Sequence, residues 1–157
     1  MNAIYQQSAG AGTQTAALNF GGRTSGGPPN ITGNTELFNG SSWTELNNMV
    51  AGSCSFGGTG TSTSALTFGK EDPVPSVPNA STESWNGTNW AEVNDLNTAR
   101  RESGSCGTDN TSALVYGGEA PSTTEVANTE EWNGTNWTEV NDLNTARNEL
   151  AAAKRIK

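Results

Sequence analysis

The side chains able to do chemistry in this sequence are mostly carboxylates. The 157-residue chain carries 16 Asp and Glu against eight Lys and Arg, a formal net charge of −8, and it has no histidine. Paired carboxylates can serve as general acid and base, or can hold a divalent cation. Here, however, they recur. Glu36, Glu83 and Glu130 are spaced 47 and 47 apart, Glu45, Glu92 and Glu139 keep the same interval, and so do Asp95 and Asp142. A catalytic pair is unique in a chain, so a carboxylate returning in every copy of a unit reads as part of that unit's architecture. Without histidine there is no Ser-His or Cys-His nucleophile, no imidazole base and no His-ligated metal. Cys54 and Cys106 form no C-x-x-C pattern and read as two unpaired, buried thiols in preference to a disulfide. Glu71-Asp72 lacks the D-x-D-x-D-G spacing of a calcium loop. No catalytic residue, metal site or cofactor is expected, and the chain reads as non-enzymatic.

The charge excludes further classes. Nucleic-acid affinity needs clustered Lys and Arg, which an acidic chain does not supply. No apolar run approaches about 18 residues, so no membrane insertion is expected. The start, Met-Asn-Ala-Ile-Tyr, shows no signal peptide. Thr (21), Ser (15), Asn (19) and Gly (19) make up close to half the chain. That bias would pass for low complexity if five Trp did not stand at fixed places.

Those places define a repeat. Trp43, Trp90 and Trp137 are 47 apart, and Asn39-Gly40, Asn86-Gly87 and Asn133-Gly134 keep the interval. A second element recurs as Ala17-Leu18-Asn19-Phe20-Gly21-Gly22, Ala65-Leu66-Thr67-Phe68-Gly69 and Ala113-Leu114-Val115-Tyr116-Gly117-Gly118. The pattern predicts four short strands per unit. The first is small and polar, as in residues 101–106, and the second is apolar and ends at the glycines. The third ends at Asn-Gly, and the fourth begins at Trp two residues later. Asn-Gly between strand-like runs predicts a type I′ hairpin. Alternation along the strands predicts that Phe38, Trp85 and Trp132 pack across that turn from Trp43, Trp90 and Trp137.

A four-stranded unit of this length is the size of one propeller blade. The order of Arg100-Arg101, an apolar strand ending Gly117-Gly118, a variable loop, Glu130, Trp132 and Trp137 resembles the kelch motif, in three copies covering essentially the whole chain. The first copy has Ile4-Tyr5 where the third has the arginine pair, and the second has Lys70 for the second glycine. The Asn/Thr/Gly-rich character is similar to kelch-like repeats of marine bacteriophage structural proteins. The resemblance implies an all-β fold of three four-stranded antiparallel blades: 1–48, 49–95 and 96–142, with a basic tail at 143–157. Three blades are too few to close a ring. Since the chain starts with Met and ends on a sequence that breaks the repeat, completion by homo-oligomerisation is expected, six blades from two chains being favoured over an excerpt of a longer array.

What does not repeat is the loop between strands two and three. Arg23, Lys70, Glu71, Asp72 and Glu119 in these loops are the candidate binding residues, since recognition concentrates in loops on a rigid scaffold. The tail restarts the repeat as Leu143-Asn144-Thr145-Ala146-Arg147 and then diverges into a run of helix formers, predicting a short helical or irregular end. Residues 1–146 carry a net charge of −11 and residues 147–157 carry +3. Arg147, Lys154, Arg155 and Lys157 are therefore candidates for docking on the acidic body of a neighbouring subunit or partner. N-x-S/T triplets such as Asn86 and Asn133 read as turn chemistry rather than glycan acceptors. The expected function is a structural or interaction module for assembly or attachment, in a virion or on an extracellular surface. The alternative is a carbohydrate- or receptor-binding adhesin of tail-fibre type, which would take a glycan or a cell-surface protein on those loops.

Overall fold

The computed structural model describes residues 5–24, 30–71 and 77–150. Among these residues the chain is all-β, with no helix. The strands are β1 (Tyr5–Gln6), β2 (Ala9–Thr13), β3 (Ala16–Phe20), β4 (Arg23–Thr24), β5 (Thr35–Phe38), β6 (Trp43–Leu46), β7 (Gly57–Gly60), β8 (Ala65–Phe68), β9 (Thr82–Trp85), β10 (Trp90–Val93), β11 (Gly104–Asp109), β12 (Ser112–Tyr116), β13 (Glu119–Ala120), β14 (Thr124–Glu125), β15 (Thr129–Trp132) and β16 (Trp137–Val140). Twelve of them build three antiparallel four-stranded sheets, each a meander in chain order: β2-β3-β5-β6, β7-β8-β9-β10 and β11-β12-β15-β16. The other four make two small pairs, β1 with β4 and β13 with β14.

Local chemistry explains the strands and corrects two expectations. The third sheet's first strand begins at Gly104, not at residue 101. Glu102 turns the chain with a positive φ of 55°, and Arg101 forms an isolated bridge with Glu119 instead. The Asn-Gly turns are not type I′. Phe38 pairs with Trp43, Trp85 with Trp90 and Trp132 with Trp137, so each loop holds four residues rather than two. Only the glycine is left-handed (φ 96°, 94° and 91° at Gly40, Gly87 and Gly134). The asparagine instead turns its side chain inward. Asn86 Oδ1 accepts from the amides of Thr88 and Asn89, both at 2.9 Å, and Asn133 does the same for Thr135 and Asn136. These side-chain bonds satisfy amides that a two-residue turn would not contain. The aromatic pairs across the turns lie as expected, with ring centroids 5.3, 5.4 and 5.3 Å apart.

The core lies between sheets rather than inside any one of them. Leu18 and Phe20 of β3 pack with Ala65, Trp85 and Trp90 of the second sheet, and with Met49 of the connection. Leu66 and Phe68 of β8 pack in turn with Ala113, Val115, Trp132 and Trp137 of the third sheet, and with Leu96. Alternation along the second strand therefore gives each sheet one side toward its predecessor and one toward its successor. Each buried aromatic contributes on the order of 2–3 kcal/mol. The first strands lie closest together, β2 against β7 and β7 against β11. Gly58 makes this approach possible: a Cβ there would meet Ala9 Cβ and the Phe20 ring at 2.9 Å.

Both joints carry the same polar contacts, one repeat apart. Asn47 Nδ2 donates to Thr88 O and Asn89 Oδ1 (3.0 and 2.9 Å), and Asn94 Nδ2 donates to Thr135 O and Asn136 Oδ1 (2.9 and 2.8 Å). Trp90 Nε1 donates to Thr35 Oγ1 at 2.9 Å, and Trp137 Nε1 to Thr82 Oγ1 at 3.1 Å.

Candidate functional site

The charged residues gather in two layers. The inner layer consists of the repeated glutamates on the third strands. Glu83 accepts from the amides of Val50 (2.8 Å) and Ala51 (3.4 Å) and from the Lys70 ammonium. Glu130 accepts from the Asn97 and Thr98 amides (2.7 and 3.2 Å), from Asn97 Nδ2 (3.0 Å) and from the Arg100 guanidinium at 2.5 Å. Each carboxylate thus fastens the preceding connection to its own sheet and is balanced by one cation. The cation's origin differs: Lys70 follows the second strand of the same sheet, whereas Arg100 comes from the connection. All four side chains are buried. Burial pushes the pKa of both Lys70 and Arg100 down, and their glutamate partners oppose that shift.

The outer layer is a strip of alternating charge along the ends of the second strands. Arg23 Nη2 reaches Glu71 Oε1 at 2.6 Å, Arg101 Nη1 meets Glu71 Oε2 at 3.2 Å, and Arg101 Nη2 meets Glu119 Oε1 at 2.5 Å. One strip therefore ties residues of all three repeats. Arg23 Nε also donates to Cys54 Sγ at 3.2 Å. Cys54 is fully buried and unpaired, and burial raises its thiol pKa, whereas the equally unpaired Cys106 is only half-buried.

Of the loop candidates, Arg23, Glu71 and Glu119 come together in this strip. Lys70 sits in the inner layer against Glu83, out of reach of a ligand arriving from solvent (1% exposed). Asp72 lies outside the described residues. Of the tail candidates, Lys154, Arg155 and Lys157 also lie outside them. The described part of the tail, residues 143–150, is irregular. It folds against its own repeat: Gly118 N donates to Arg147 O at 2.8 Å and Leu150 N to Glu102 O at 3.3 Å, while Asn148 Nδ2 reaches Glu119 at 3.4 Å. The Arg147 side chain is exposed and makes no ion pair among the described residues. Burial raises the Glu102 carboxyl above the usual range.

The charged layers offer little chemistry to a ligand, because their members are already matched to one another. No group of three or more Cys, Asp or Glu side chains among the described residues is placed to hold a metal ion. No described helix is long and apolar enough to cross a membrane.

A different feature is open. A cleft of about 490 Å³ lies where the first strands of the first two sheets meet, lined by Ala17, Asn19, Trp43 and the glycine-rich backbone of β2 and β7. The Asn19 amide nitrogen is buried there without a hydrogen bond. Sequence reasoning missed this cleft, and it missed the roles of Arg100 and Arg101. The signal for the asparagines that join the sheets was present, however, since Asn47, Asn94 and Asn141 share the 47-residue spacing. No family model matches the chain, and no curated protein matches it.

Proposed function

We propose that this chain is a kelch-like partial propeller acting as a non-enzymatic assembly or attachment module, its ring completed by a second copy to give six blades. One observation carries the reading: the two joints between sheets are copies of each other, in their asparagine, tryptophan and glutamate contacts alike. A joint that repeats by translation along the sequence defines a rule for adding sheets, and nothing in the rule stops at three. A virion or extracellular surface suits an acidic, Thr- and Asn-rich exterior of this kind. Native mass spectrometry tests the assembly directly. Particles at twice the 16.3 kDa chain mass support the reading, and a monodisperse monomer overturns it.

The cleft supports a second reading, a glycan-binding adhesin. Its unpartnered Asn19 amide and half-exposed Trp43 indole are the group types that hydrogen-bond and stack on a sugar. A glycan array separates the two: reproducible hits lost in Asn19→Ala and Trp43→Ala favour the adhesin.

A further inference from the structure

We infer that the side of the third sheet that the described residues leave uncovered receives the corresponding side of the first sheet of a second copy, head to tail, through the contacts that join the sheets within one chain. The inference rests on the proposed assembly and adds the surface that performs it. At both internal joints the preceding sheet presents a phenylalanine of its second strand, and the following sheet lays a tryptophan on it: Trp90 on Phe20 (centroids 4.8 Å apart) and Trp137 on Phe68 (5.0 Å). The next phenylalanine position is Tyr116 and the remaining tryptophan of the series is Trp43. Both are half-buried where their counterparts are buried. Leu114, two residues before Tyr116 on the same strand, and Leu143 are also half-buried, whereas Leu143's counterparts Leu96 and Met49 are core. On the facing side, Ala17 and Phe38 accompany Trp43.

The polar contacts leave the same remainder. Asn47 and Asn94 reach the next sheet's turn, and the third member, Asn141, is exposed without a hydrogen bond among the described residues. The turn left over is that of the first sheet, at Ser41 and Ser42. The Trp43 indole N–H has no acceptor among the described residues. Thr129 Oγ1, standing where Thr35 and Thr82 stand, donates to Ala127 O just as they do to Gly33 O and Ala80 O, and keeps a lone pair for it. Glu36, the counterpart of Glu83 and Glu130, is already buried within its own chain (2% exposed). Each side of the molecule thus keeps one open donor and one open acceptor, Asn141 and Thr129 on the third sheet and Trp43 and the Ser41-Ser42 turn on the first, with one chain's leftovers complementing another's.

One position departs from the pattern and supplies the test. The next-sheet acceptors are Asn89 and Asn136, but the first sheet has Ser42, whose shorter side chain lacks the carbonyl that Asn94 uses at the second joint. Ser42→Asn, a change at an exposed turn, is expected to tighten self-association by roughly two- to tenfold, the value of one restored hydrogen bond. Asn141→Ala is expected to loosen association by a similar factor and to abolish the gain from Ser42→Asn when the two are combined. Sedimentation equilibrium of the full chain reads all three, and Trp43→Ala, checked by thermal melting for an intact fold, is expected to lose at least about tenfold. If the wild-type chain associates but Ser42→Asn and Asn141→Ala act additively or not at all, the head-to-tail surface is wrong and the assembly reading stands. If the wild-type chain stays monomeric throughout a dilution series, both fail.

Discussion

At the scale of single residues, the buried ion pairs set the largest sensitivities. Removing one partner of a buried pair strands the other's charge. Lys70→Ala is therefore expected to cost about 3 kcal/mol or more in urea unfolding, with Lys70→Ala/Glu83→Gln recovering part of the loss. The thiols offer a cleaner contrast. Cys54 is fully buried, with its pKa raised by burial, while Cys106 is half-buried. A colorimetric thiol reagent is expected to modify Cys106 in the native chain and Cys54 only as the protein unfolds, giving two separated phases; simultaneous reaction would contradict this placement. The sequence shows why such details are hard to foresee. The 47-residue spacing marked Glu83 and Glu130 as structural, but not what they bind. Their cations come from Lys70 in one repeat and Arg100 in the other, positions that do not align and that converge only in space.

At the scale of elements, the repeat was legible almost strand by strand, because Trp, the Asn-Gly turns and the apolar second strand punctuate every unit. What could not be read was the backbone of the turn. Asn-Gly fits a two-residue loop and a four-residue loop equally well, and the choice depends on which residues close the hairpin, a matter of register. The observed geometry makes a specific demand on the asparagine. Asn133→Ala removes the acceptor for two amides at an exposed turn and is expected to cost about 1 kcal/mol by chemical denaturation, while Asn133→Asp, which retains an acceptor, is expected to cost less. The first strand was misplaced for a related reason. Arg100 and Arg101 look like strand residues in sequence, but one is drawn to Glu130 and the other to Glu71 and Glu119, so the ladder starts later.

At the scale of the whole molecule, three sheets share two cores and one strip of charge, so neighbouring units stabilise each other as in other repeat proteins. The candidate site was less legible than the fold, because the loops that differ most between repeats spend their charges on one another, while the open cleft is built from residues of two different repeats. The two uncovered sides also differ from each other, and that has a consequence for size. A contact between unlike surfaces has no natural end. It closes into a ring only if the rotation from sheet to sheet divides a full turn, and otherwise it winds into an open filament. The first strands of neighbouring sheets touch at Gly58, where an added Cβ would meet Ala9 Cβ and the Phe20 ring at 2.9 Å. A methyl group there is expected to wedge the first two sheets apart and, in the proposed ring, to alter how many chains complete a circuit rather than how tightly each one holds. Gly58→Ala should therefore appear in native mass spectra as a changed copy number or as fibres, with the strength of each contact little affected.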